Sequence, residues 1–432
     1  MNVGHAAGAA WDRRTFGAQN TLLKTRHLAR TRLPRVTEKA LAVVMLFCTT
    51  GAVLPLLDTG LDPMSAQIRP REFAVMAALY TLTLFFIAVR WRSFVQGVWN
   101  AKWIMALVVI AIVSTVWSQN PALTLRRSAV LLATTAFGVY FGTRYTVAQQ
   151  LRLLASASSL VVALSFFFAM FLPKYGIDQN MDGAWQGVFV QKNGLARFMV
   201  LAVFAYLFVR PKLFRSLRWL GVAASLTLLL LSRSATGMIV CVGTIAILAL
   251  YRLVGARNAI ALPFVVAGLL VVGVSLSRNF TLAGALQAVG RTPDLTGRTE
   301  LWDAVLHSVA MRPCLGYGFS AFWQGSQAAS DPVRLATGWL VVQSHNGFLD
   351  LLLSLGWVGA ITFVLGYLIL WRRALLFELR APGPVPMWLC TYLILILLYN
   401  LTESSILEQN NVQWVLYAST AANLFPVFPR RR

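Results

Sequence analysis

Apolar runs of nearly bilayer-crossing length alternate along this chain with short polar, Arg-bearing connections, and that alternation predicts helices. A hydrocarbon core of about 30 Å takes ~20 apolar residues per helix. Runs approaching that length cover 39–57, 73–89, 103–117, 128–143, 153–172, 194–209, 217–231, 237–253, 259–276, 347–370, 387–401 and 411–428. The expected fold is an all-α polytopic membrane protein with about twelve transmembrane helices, nine over 39–276 and three over 346–428. Between the two groups lies one large loop, 277–345. A basic tail, 1–38, is expected to be disordered, and a short basic end covers 429–432.

One helix is legible inside the large loop. Leu301, Trp302, Val305, Leu306 and Val309 recur at three- and four-residue spacing between Arg298 and Met311. Thr296-Gly297 supplies a start, Pro313 a stop, and Gly316-Tyr317-Gly318 a turn. An amphipathic helix beside a bilayer should lie in the interface or cover the helical bundle.

Composition agrees with this class: 58% of residues are apolar and 12% charged, with a mean hydropathy of +0.66. The net charge of +23 would suggest nucleic acid in a soluble protein, but its distribution suggests a membrane. With the Arg-rich tail in the cytoplasm, the expected crossings put Arg90, Arg144, Arg210, Arg252, Arg372 and Arg430 on that same side. This is the positive-inside pattern. It predicts that both termini are cytoplasmic, that the tail faces anionic lipid, and that loop 277–345 lies outside. No nucleic-acid partner is expected.

A polar segment precedes the first apolar run and no small-residue cleavage site follows a short apolar core, so no cleavable signal is read. Cys48, Cys241 and Cys390 fall in expected helices and leave Cys314 alone in the loop, so no disulfide framework is implied. The two halves of the helix series show no internal repeat, which weakens a transporter reading.

Four cationic positions share the outer level of this topology: Lys192, Arg233, Arg298 and His345. Arg233 sits in the bare turn Ser232-Arg233-Ser234. It either forks onto a phosphate, as Lys cannot, or snorkels to the interface. Arg298 opens the loop helix, with Trp302 one turn on. A cation there opposes the helix's own positive end, but suits a site where an anion binds. Pairing with Glu300 or Asp303 is the structural alternative.

His345, followed by Asn346 and an apolar helix, is either a proton-transfer group or a helix cap. Lys192-Asn193, at the mouth of the sixth helix, either holds phosphate or marks the interface. Asp350, inside an apolar run, is read as accepting a hydrogen bond from a neighbouring helix, with function as the alternative. His307, about half a turn out of phase with Arg298, is read as exposed and structural.

The outward carboxylates Asp294, Glu300, Asp303 and Asp331 are scattered, without His or Cys at ligand spacing, so no metal site and no cofactor is expected. Phosphate-loop, nucleophile-elbow and Cys-x-x-Cys patterns do not occur, which removes support for nucleotide hydrolysis, serine hydrolysis and redox chemistry.

Five segments in order resemble the O-antigen ligase and Wzy-type polymerase superfamily, and look most like its ExoQ-type exopolysaccharide polymerases. They are Trp185-Gln-Gly187-Val-Phe-Val-Gln-Lys192-Asn193-Gly194, Ser232-Arg233-Ser234-x-x-Gly237, Gly297-Arg298-Thr-x-x-Trp302, Arg312-Pro313-x-x-Gly316-x-Gly318, and His345-Asn346-x-x-Leu349 with Gly356 beyond. The similarity covers roughly residues 40–425. It implies a GT-C-like helical fold and metal-independent, inverting glycan transfer from an undecaprenyl-pyrophosphate-linked oligosaccharide.

In that family two arginines, matched here by Arg233 and Arg298, engage the donor pyrophosphate. A histidine, matched by His345, activates the acceptor hydroxyl. Lys192, Asn193, Trp302, Arg312 and Asn346 are the expected substrate-binding residues beside them. A flippase and a chain-length regulator would be pathway partners. A polymerase adds chain to another lipid-linked repeat unit, whereas a ligase adds it to lipid A-core or protein. The Gly-Arg-Thr-Glu-Leu-Trp form favours the polymerase. A lipid-linked glycan flippase would instead need charged groups at midplane depth, and a scaffold of an export complex stays open.

Overall fold

The computed structural model describes residues 35–52, 70–179, 183–210, 215–254, 296–324, 329–338 and 341–423. The apolar run 259–276, both ends of the chain and the first part of the large loop lie outside these residues. The chain divides into residues 1–41 and 42–432. The described part of the first unit is the opening of helix α1 (Arg35–Cys48).

In the second unit the helices are α2 (Pro70–Val89), α3 (Trp91–Asn100), α4 (Lys102–Val113), α5 (Pro121–Arg144) and α6 (Val147–Phe171). A short turn of helix, α7 (Pro173–Gly176), leads to a two-stranded antiparallel hairpin, β1 (Ile177–Asp178) and β2 (Ala184–Trp185). Then follow α8 (Lys192–Phe208), α9 (Arg215–Leu231), α10 (Ala235–Val254), α11 (Thr296–Met311), α12 (Asp331–Thr337), α13 (Gly347–Arg380), α14 (Pro384–Tyr399) and α15 (Val412–Asn423).

Every apolar run inside the described residues falls on a helix. By length and composition, four helices can cross a membrane: α2, α6, α10 and α13. The number is five if α3 and α4 form one bent span. Large apolar side chains stand exposed along these helices, among them Leu84, Phe85, Val109, Phe167, Ile239, Val242 and Ile361. Surface of that kind calls for an apolar surrounding.

The expected crossing 103–117 is one limb of a bend. Helices α3 and the α4 segment meet at 87°. Buried Asn100 stands at the corner, donating its Nδ2 to the Ala422 carbonyl at 3.1 Å and so tying the bend to α15. That contact spans most of the chain and leaves no local trace in the sequence.

Helix α11 forms where its periodicity predicts. Leu301, Val305 and Val309 are buried against Tyr317, Phe322, Val333, Val341 and Leu353, so its apolar face covers α12 and α13. Each such side chain contributes about 1.5–3 kcal/mol relative to leaving it in water. Helix α12 was not read from sequence.

Helix α13 is broken at Gly356, whose φ of 61° and ψ of −160° are non-helical. The freed backbone groups are satisfied by the turn after α11. The N–H groups of Tyr317 and Gly318 donate to Leu353 and Ser354 carbonyls at 2.8 and 3.1 Å, and those of Trp357 and Val358 to Pro313 and Cys314 carbonyls at 2.8 and 3.2 Å. Such close backbone docking requires glycine. A Cβ on Gly356 would lie 2.3 Å from the Cys314 carbonyl carbon, and one on Gly316 would lie 2.6 Å from the Leu353 oxygen. At the other end Trp302 Nε1 donates to the Ser344 carbonyl at 2.9 Å. Tied in the same order at both ends, α11 and α13 run parallel, and their N-termini open on the same place.

Candidate functional site

Four helix starts converge on the loop between α14 and α15. Asn193 belongs to the first turn of α8. Its Oδ1 accepts from Ser234 Oγ at 2.9 Å, and Ser234 Oγ also accepts from the Gly237 N–H at 3.3 Å, capping α10. Asn193 Nδ2 donates to Glu403 Oε1 at 3.3 Å. Arg298, in the first turn of α11, donates from Nη1 to the Thr402 carbonyl at 3.0 Å and places Nη2 3.7 Å from Glu403 Oε1. His345 precedes α13 and holds Nδ1 3.5 Å from Glu403 Oε2. The Gly347 N–H closes the ring, donating to the Asn400 and Glu403 carbonyls at 2.8 and 3.1 Å.

Glu403 is therefore the hub of the cluster, and it is buried, with 7% of its surface exposed. Burial pushes its carboxyl pKa up, but the His345 hydrogen bond and the positive charges of His345, Arg197 and Arg298 outweigh burial and hold it below its ordinary value. An ionised carboxylate at this point fixes the orientation of the imidazole and of one guanidinium together. The convergent helix N-termini and the cations also make the surroundings receptive to a further anion.

Strain marks the same residues. Among the described residues five non-glycine positions have positive φ: Arg233 at 48°, His345 at 50°, Ser320, Leu407 and Asn410. A left-handed backbone at such residues is held only where the surrounding structure over-determines it, and such positions gather at functional sites. Two of the five are the arginine of the α9–α10 turn and the histidine before α13.

The structure joins most of the sequence-predicted residues. Arg298, His345 and Asn193 meet at Glu403. Lys192 adjoins Asn193, and the Arg233 turn is fastened to Asn193 through Ser234, with the Arg233 side chain exposed. Trp302 braces Ser344, the residue before His345. Asn346 is the N-cap of α13, its Oδ1 accepting from the Phe348 and Leu349 N–H groups at 3.0 and 3.3 Å. Arg312 stands apart. It ends α11, ~20 Å along the axis from Arg298 at 1.5 Å per residue, and its guanidinium lies 5.0 Å from the Tyr317 ring centre.

His307 is exposed on the far face of α11. Asp350 accepts hydrogen bonds from Trp323 Nε1 at 2.9 Å, from the Ser344 N–H at 3.1 Å and from Ser404 Oγ, so it binds three segments together beneath the site. Among the described residues no three His, Cys, Asp or Glu side chains gather as a metal-holding group.

Sequence reading passed over Glu403 and Arg197. Arg197, one turn beyond Asn193 in α8, donates to the Ser404 carbonyl at 3.2 Å and lies 3.6 Å from Glu408. The available signal was a carboxylate directly after an apolar helix, at the outer level of the expected topology, in a chain with only 15 acidic residues.

Residues 220–364 match the family model described as O-antigen ligase (Wzy_C). That span includes Arg233, Arg298, Trp302, Arg312 and His345. The exopolysaccharide production protein ExoQ of Rhizobium meliloti (strain 1021) is 26% identical over 377 residues, covering 82% of this chain and 83% of that protein. Residues 220–364 are thus similar to the O-antigen ligase family model, and the chain is similar over most of its length to an exopolysaccharide production protein.

Proposed function

We propose that this protein is a metal-independent, inverting glycosyltransferase that polymerises exopolysaccharide or O-antigen at the outer face of a bacterial inner membrane. It moves glycan from an undecaprenyl-pyrophosphate-linked donor to a sugar hydroxyl of another lipid-linked repeat unit. The supporting observation is the assembly of Arg298, His345, Asn193 and the Arg233 turn around buried Glu403. In this reading the chain crosses the membrane about twelve times, with both termini cytoplasmic and loop 277–345 periplasmic. A flippase delivers its substrate and a chain-length regulator acts beside it.

The chemistry follows from the groups present. With Nδ1–H directed at Glu403, the His345 Nε2 lone pair takes the proton from the acceptor hydroxyl. The carboxylate stabilises the imidazolium that forms. The hydroxyl oxygen attacks the anomeric carbon opposite the pyrophosphate, the carbon–oxygen bond to the leaving group breaks, and configuration inverts. Negative charge then develops on undecaprenyl pyrophosphate. Arg233 and Arg298 neutralise it where it appears, aided by the helix N-termini. A guanidinium has five N–H donors, so the contacts of Arg298 to Thr402 and Glu403 leave others for phosphate.

Transfer to lipid A-core or protein would use the same groups, and the similarity to an exopolysaccharide production protein is what favours polymerisation. The test is turnover. Purified protein given lipid-linked repeat units in EDTA should form a ladder of polymer and release undecaprenyl pyrophosphate. Substrate that only changes leaflet, with no new glycosidic bond, would identify a flippase. Activity lost in EDTA and restored by magnesium or manganese would overturn the arginine mechanism.

A further inference from the structure

A concavity borders the cluster at Gln343. It is a cleft of about 240 Å³, and its wall includes Arg127, Ser320, Gln324, Gln343, Glu408 and Gln409. None of Lys192, Arg233 or Arg298 lines it. We propose that this cleft is the subsite for the saccharide that supplies the attacking hydroxyl. The proposal rests on the transferase reading given above.

The first reason is its relation to His345. Gln343 lines the cleft and sets its side-chain amide 3.3 Å from His345 Nδ1. Ser404, which also lines the cleft, follows Glu403, whose carboxylate lies against the imidazole. The histidine and its carboxylate thus adjoin the cleft through Gln343 and Ser404, and a base that links a pyrophosphate donor with an acceptor must adjoin the acceptor's site.

The second reason is chemistry. The lining holds one guanidinium, Arg127, and two carboxylates, Asp350 and Glu408. This wall carries no excess positive charge for a phosphate. Arg127 is already engaged, donating to the Ser320 hydroxyl and carbonyl. Asp350 is saturated by Trp323, Ser344 and Ser404 and forms a rigid floor. Gln324 and Gln409, by contrast, direct no side-chain hydrogen bond at a partner among the described residues. An amide offers both donors and acceptors, as sugar hydroxyls require. The volume falls short of the ~300–1,000 Å³ of a whole drug-sized ligand site, and suits a single saccharide unit.

The third is preorganisation. Ser320 and Leu407, with φ of 59° and 56°, line this cleft. Four of the five strained non-glycine positions among the described residues therefore belong to the cluster or the cleft, and strain of this kind is held where geometry matters.

The probe is the repeat-unit oligosaccharide released by mild acid from the cell's own lipid-linked pool. Binding to the full-length purified protein is measured by calorimetry, alongside polymerisation kinetics. Gln409→Trp fills the cleft and Gln324→Ala removes one amide. Each should weaken oligosaccharide binding and raise the acceptor KM, Gln409→Trp by tenfold or more, while slow donor hydrolysis to undecaprenyl pyrophosphate stays unchanged. Wild-type binding and acceptor KM in both variants would overturn the subsite and leave the transferase reading standing. Protein that binds the oligosaccharide, loses it in these variants, yet forms no polymer from the donor would retain a saccharide site and overturn the transferase reading.

Discussion

Glu403 Oε2 lies 3.5 Å from His345 Nδ1, while Oε1 of the same carboxylate faces Arg298 at 3.7 Å. One buried carboxylate thus stands against both the histidine and an arginine. Glu403→Gln keeps the shape and removes the charge, so transfer rate should fall on the order of 10²-fold with little change in donor binding. Stability should respond too. The carboxyl pKa is held below its unfolded value of about 4.3, so ionised Glu403 stabilises the fold above that pH. The contribution is lost as pH falls from there through the folded value. Thermal unfolding of Glu403→Gln measured against pH should show a flatter acid limb than wild type. Identical limbs would remove the carboxylate from the cluster's electrostatics.

Arg233 and Arg298 should each be sensitive to Lys. The substitution keeps charge but loses a bidentate, charge-assisted bond of about 1.5–3 kcal/mol, so the rate should drop roughly ten- to a hundredfold, and further with Ala. Arg312→Lys, at the far end of α11, should change it far less. Polymer formed per unit of membrane-inserted protein is the measurement, and equal effects at all three positions would argue against a localised pyrophosphate site.

Asp350 joins Trp323, Ser344 and Ser404. Asp350→Ala leaves three donors without their acceptor and should destabilise the protein by more than a single charge-assisted bond, about 1.5–3 kcal/mol. Asp350→Asn keeps one acceptor oxygen and should lose less. Thermal unfolding in detergent distinguishes them. Wild-type stability in Asp350→Ala combined with lost transfer would make Asp350 a catalytic group instead.

The proposed topology puts α11 outside and the start of α9 inside. In a variant without the native cysteines, Met311→Cys should react with an impermeant thiol reagent in intact cells, and Ser216→Cys only after lysis. Both positions are exposed. Reaction of Ser216→Cys from outside would invert the topology.

What could be read from the sequence is what repeats locally. The positions of the long apolar helices follow from apolar runs, and the buried face of α11 with Leu301, Val305 and Val309 follows from periodicity. The right-angled bend after Asn100, the splice of Gly316 against the Gly356 break, and the meeting of Glu403 with Arg298 and His345 are contacts between distant segments. No window of sequence contains both partners. Arg298 and His345 stand out as candidates in the sequence because a cation at a helix start is locally unusual. Glu403 was missed because a carboxylate after a helix is ordinary until its partners are known.

The division of labour between arginines and histidine is tested most directly by His345→Ala beside His307→Ala. His307 lies on the exposed face of α11 and is the matched control. With equal membrane levels, polymer formation from lipid-linked repeat units should fall on the order of 10²–10⁴-fold in His345→Ala, with donor binding nearly intact, and stay near wild type in His307→Ala. Well-folded His345→Ala protein that polymerises at the wild-type rate would reduce this histidine to a structural element before α13 and remove the base from the mechanism.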